Sequence, residues 1–99
     1  MPTTLLRVSY VGTGCVEADF GVDRDDGKRR LHTVSIPPNI DVETMMAMVA
    51  DNFQQDGDPP ISAEDVARIK SFADPYQTQD NIAAYVARQQ EIQNSIVRA

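Results

Sequence analysis

Two short glycine-bearing stretches, Gly12-Thr13-Gly14 and Asp25-Asp26-Gly27, constrain this chain more than anything else in it. A β-strand turns successive side chains to opposite faces, so a hairpin shifted by one residue sends every side chain to the wrong side. If Asp26-Gly27 were a two-residue turn, Glu17 would face Ile36 and Asp19 would face Val34, mixing charge with core. As a three-residue loop with Gly27 left-handed, Asp25-Asp26-Gly27 sets Val22 opposite Arg30, Phe20 opposite His32, Ala18 opposite Val34 and Val16 opposite Ile36. The other face then pairs Asp19 with Thr33 and Glu17 with Ser35.

Gly12-Thr13-Gly14, read as a second three-residue loop, pairs Tyr10 with Val16, Val8 with Ala18, Leu6 with Phe20 and Thr4 with Val22. On the opposite face Ser9 meets Glu17, and Arg7 is expected to form a cross-strand ion pair with Asp19. Both hairpins place Val16, Ala18, Phe20 and Val22 on one apolar face. Residues 4–11, 15–22 and 29–36 are therefore predicted to form a three-stranded antiparallel meander, with Leu6, Val8, Phe20 and Val34 buried.

Both glycine stretches also invite a ligand reading, and both fail on spacing. Placing Gly27 at the sixth position of a calcium loop puts Val22, Arg24 and Thr33 at ligand positions one, three and twelve, where oxygen donors are required. A dinucleotide fingerprint starting at Gly12 needs a glycine at position 17, which is Glu17, and a helix where a strand follows. Neither calcium nor a nicotinamide cofactor is expected to bind.

Ile36-Pro37-Pro38 ends the sheet, because proline cannot donate to a ladder. Helical periods follow. Asp41 is placed to cap a helix over 42–55, whose stripe is Val42, Met45, Met46, Val49 and Phe53. Asp56-Gly57-Asp58-Pro59-Pro60 interrupts it. Ser62 caps a second helix with Asp65 at the capping-box position and Ile61 set to staple onto Val66; Val66, Ile69 and Phe72 form its expected buried face, and Asp74-Pro75 stops it. Thr78 opens a third helix running close to residue 99. The predicted fold class is α+β, one domain over 1–99: a β-meander in 1–38, then three helices in 39–99, at least partly packed on one sheet face.

The third helix carries Ile82, Tyr85, Gln89, Ile92 and Ile96 on one line, spaced three, four, three, four. About 20 residues of helix span about 30 Å, longer than a small sheet covers. Ile82, Tyr85 and Val86 suffice to pin it to its own domain. Ile92 and Ile96 then either cover the edge of this sheet or pack against another chain, with Gln89 as a polar residue inside the seam. Met48 lies off the main stripe of the first helix and is expected to be exposed, a further candidate contact.

The chain offers little for catalysis. His32 is its one histidine, read as a partly buried residue opposite Phe20, and no nucleophile is placed beside it. Cys15 is the one cysteine, read as an ordinary thiol; an internal disulfide is impossible, which fits a reducing intracellular compartment. Asp56, Asp58, Glu64 and Asp65 read as solvated caps and linker groups. No catalytic, cofactor-binding or metal-binding residue is assigned, and the chain is expected not to be an enzyme. A net charge of −6 disfavours a nucleic-acid partner, and no apolar run approaches the ~20 residues that span a bilayer. The start of the chain lacks the basic and apolar segments of a signal peptide.

The function expected is a non-enzymatic structural or interaction subunit of a larger assembly, such as a minor phage virion component of tail, baseplate or head-tail junction. Its partners are other protein chains, met through the last helix and a sheet edge. The alternative is a small acidic regulator or inhibitor that binds a basic protein.

Overall fold

The computed structural model describes residues 3–23 and 26–98, with side chains described up to residue 96. Three strands, β1 (Thr4–Gly12), β2 (Cys15–Asp23) and β3 (Arg29–Ile36), form an antiparallel sheet in the order β1-β2-β3. Three helices follow: α1 (Val42–Gln55), α2 (Ala63–Ala73) and α3 (Gln79–Arg98), with a single 3₁₀ turn at Asp74–Tyr76 before the last. The α+β meander-plus-helices architecture is the one the hairpin registers predict.

The β2–β3 ladder holds residue for residue. Val16 lies opposite Ile36, Ala18 opposite Val34, Phe20 opposite His32 and Val22 opposite Arg30. Gly27 takes φ +78°, the left-handed conformation its position requires, while Asp25, the first residue of the expected loop, lies outside the described residues.

The β1–β2 ladder departs from expectation at both ends. Its middle holds, with Val8 opposite Ala18 and Tyr10 opposite Val16. Beyond Arg7 the register shifts, so that Leu5 rather than Leu6 faces Phe20 and Thr4 faces Gly21 rather than Val22. Leu6 is the extra residue of a bulge. Leu5 is 8% exposed and Leu6 44%, which reverses the expected burial. Two adjacent leucines satisfy either parity, so the pattern could not choose between them. The choice comes from further upstream, where Thr3 is buried and its hydroxyl donates to the Pro59 carbonyl at 2.7 Å.

At the other end Gly12 faces Cys15, making Thr13-Gly14 a two-residue turn with an irregularity before it, instead of a three-residue loop. Thr13 has φ +50° and Gly14 φ +77°, the pair of positive values a type I′ turn demands. A β-branched residue pays for that conformation with strain. The turn is held by the Gly14 N–H, which donates to the Tyr10 hydroxyl at 3.0 Å.

One sheet face is covered by α1 and α2. Val16, Ala18, Phe20, Val22, Val34 and Ile36 meet Val42, Met46, Val49 and Phe53 of α1 and Ile69 and Ala73 of α2. Phe53 stands edge-on to both Phe20 and His32, with ring centroids 6.0 and 4.9 Å apart. His32 is partly buried there, as its register position implies. Both caps form: Asp41 accepts from the Thr44 N–H and Ser62 from the Asp65 N–H, each at 3.1 Å. The buried line of α2 is Ile69 and Ala73 with Val66 half-buried; Phe72, expected inside, sits on the shoulder of the helix and tilts against Tyr76 at 5.8 Å.

Two polar expectations are corrected. Asp19 accepts a hydrogen bond from the Thr33 hydroxyl at 2.8 Å, and among the described residues no ion pair joins it to Arg7. Asp58, read as solvated, has a side chain only 5% exposed and is paired with Arg30 of β3. With Thr3 on Pro59, this pair pins the α1–α2 connection to both sheet edges.

Candidate interaction surface

The root of α3 is built into the β1–β2 turn. Thr78 caps the helix, its hydroxyl accepting from the Asn81 N–H at 3.2 Å, and the Asn81 amide donates to the Tyr76 carbonyl at 2.8 Å. Gly14 leaves the room that Asn81 and Pro38 occupy: a β-carbon there would stand 2.7 and 2.9 Å from theirs. Gln77 fastens the preceding segment by donating to the Ile40 carbonyl at 2.6 Å. One turn further on, Tyr85, Arg88 and Gln89 wall a shallow hollow against Val11, Thr13, Cys15 and Pro37.

There the domain stops and the helix continues. Every described side chain from Val86 to Ile96 is exposed. Val86 does not help to pin α3, contrary to expectation. Ile92 is 46% exposed and Ile96 70%, so neither covers an edge of this sheet. The protrusion shows in the overall shape: the radius of gyration is 15.4 Å, against about 13 Å for a compact chain of this length.

The distal half of α3 is a narrow apolar line on a polar rod. Arg88, Glu91 and Ser95 flank Ile92 across a groove that Ala84 and Ala87 keep shallow. Among the described ion pairs none involves α3. A helix segment of this length is marginal in water unless tertiary contacts support it. Here the domain supplies such contacts only to the root.

Of the four expected contact residues, Gln89, Ile92 and Ile96 share this rod. Met48 is exposed as expected, but it stands on α1, which packs on α2 and the sheet, and it lines neither hollow beside α3. Pattern reading overlooked an aromatic group at the surface: Tyr10 stacks on Tyr76 at 4.2 Å beside Phe72, next to a groove between β1 and α2 floored by Val8. The i, i+4 spacing of Phe72 and Tyr76 was its available signal, but Tyr10 joins them only through the fold. Cys15 is partly buried with its thiol 3.9 Å from the Thr13 carbonyl. Among the described residues no group of three histidine, cysteine or carboxylate side chains could hold a metal, and no helix is long and apolar enough to cross a membrane.

No protein-family model, curated protein or solved structure matches this chain.

Proposed function

We propose that this chain is a non-enzymatic structural or interaction subunit of a larger protein assembly, docked through the distal half of α3. The observation that carries the reading is the projecting rod itself: a helix anchored at Asn81 and Tyr85 that extends Ile92 and Ile96 beyond the body. Apolar anchors within a polar surround are the arrangement by which docking helices are recognised. A phage virion is one assembly of the kind that uses such subunits.

The acidic-regulator reading has less support. Many of the carboxylates are engaged within the chain: Asp41 in a cap, Asp58 and Asp56 with Arg30, Asp23 with Arg29, and Glu43 and Asp74 with Lys70.

The test is the double substitution Ile92→Ser with Ile96→Ser. It leaves the unfolding midpoint of the isolated chain within the range of surface changes, about 0.5 kcal/mol. It also removes the chain from the high-molecular-weight fraction of its source lysate. Unfolding of the isolated domain would show that the two isoleucines are core residues. Unchanged co-fractionation would move the contact elsewhere.

A further inference from the structure

We infer that α3 consists of two parts of different stability: a root that folds with the body, and a distal stretch, residues 90–96, whose helix forms and melts while the body stays folded. The division follows from what each part touches. The root is held by the Thr78 cap, by the Asn81 amide on the Tyr76 carbonyl, and by Tyr85 in the hollow it shares with Val11 and Pro37. Beyond Gln89 every described side chain is exposed. Among the described residues, no ion pair involves α3, and Asn81 is the one α3 side chain that hydrogen-bonds outside the helix.

A stretch without tertiary support depends on its own helix propensity, and here that is low. The root contains Ala83, Ala84 and Ala87, the residue type that favours helix most. Residues 90–96 contain no alanine. The β-branched Ile92 and Ile96 lose side-chain freedom in a helix, and Asn94 and Ser95 compete with the backbone for its own hydrogen bonds. An isoleucine pair one turn apart offsets only a small part of this. Lengthening a helix that is already nucleated gains little per residue even for good helix formers, so the distal turns open one after another without disturbing the root. For the docking role, on which this last step rests, a partner that takes the Ile92–Ile96 line must also order the helix. Its affinity then depends on residues it never touches.

Gln90 and Asn94 are such residues, each two positions from an isoleucine of the line and so on the opposite face of the helix. Hydrogen–deuterium exchange of the isolated full chain, at low micromolar concentration, reads the boundary. The amides of residues 93–96 are expected to be protected less than about tenfold over an unstructured chain. Those of Ile82–Tyr85 are protected far more strongly, because they open only with the body. Gln90→Ala with Asn94→Ala slows exchange at 93–96 and raises the helical far-ultraviolet signal, and Gln90→Gly with Asn94→Gly does the reverse. The two variants differ in protection there by up to about twentyfold, while the β2 amides exchange alike in both. Protection of 93–96 equal to that of Ile82–Tyr85 overturns the inference. So does a glycine pair that speeds exchange in β2, or an alanine pair without effect at 93–96. No partner enters these measurements, so their failure is distinct from failure of the docking role, which the serine pair tests.

Discussion

Gly14 offers the sharpest test of how α3 is rooted. Gly14→Ala introduces a β-carbon at φ +77°, 2.7 Å from the Asn81 β-carbon, 2.9 Å from that of Pro38 and 3.0 Å from the Tyr76 carbonyl oxygen. None of these is the free end of a flexible side chain, so backbone must move. The left-handed conformation costs an L-residue about 1–2 kcal/mol. Overpacking adds about 1–3 kcal/mol. The expected loss is therefore about 2–5 kcal/mol, a large part of the 5–15 kcal/mol typical of a domain.

Gly27 supplies the matched control. Its φ is +78°, and among the described residues a β-carbon there meets nothing within 4 Å. Gly27→Ala thus carries the conformational cost alone, about 1–2 kcal/mol. Urea unfolding followed by circular dichroism gives both values, and an unchanged m-value certifies that the comparison is one of stability. The difference between the variants isolates the contact of the turn with Pro38, Tyr76 and Asn81. Equal losses would mean that α3 does not root on the β1–β2 turn, and the account of its projection would fail with it.

Three further outcomes are expected. Leu5→Ala costs about 2–5 kcal/mol, whereas Leu6→Ala stays within about 0.5 kcal/mol; the reverse order in urea unfolding would eliminate the bulge. Asp58→Asn, which weakens the partner of Arg30 where the carboxylate is nearly buried, costs about 1.5–3 kcal/mol, while Asp56→Asn at the exposed neighbour is nearly silent; equal effects would show the pair to be idle. Asp41 is held below the ordinary carboxylate range by the Thr44 hydroxyl and N–H that donate to it. Its folded pKa being depressed, its stabilisation is fully present above the unfolded value of about 3.9 and is lost as pH falls through the folded one. Asp41→Asn, which caps without titrating, should reduce the steepness of the acid limb of a stability–pH curve; an unchanged limb would contradict the cap's role.

Much of the fold was legible because it depends on parity and on local chemistry. Alternation on β2 and β3, with Gly27 supplying the left-handed residue, admits one register and no other. Asp41, Ser62 and Thr78 announce their helices because their side chains satisfy backbone donors only a few residues away, without reference to the rest of the chain. What the sequence left open were choices between positions of equal local merit. Leu5 and Leu6 are chemically alike, and burial of Thr3 against Pro59 decides which one turns inward. Asp56 and Asp58 look interchangeable in the linker, yet only Asp58 is nearly buried against Arg30, which arrives from a strand distant in sequence, while Asp56 stays an exposed neighbour of the same guanidinium. The three-four line of Ile82, Tyr85, Gln89, Ile92 and Ile96 is likewise uniform along α3. Where it passes from covered to bare is set by how far the Gly14 turn and Pro37 reach along the helix. That is a matter of the body's size and shape, which no local pattern encodes.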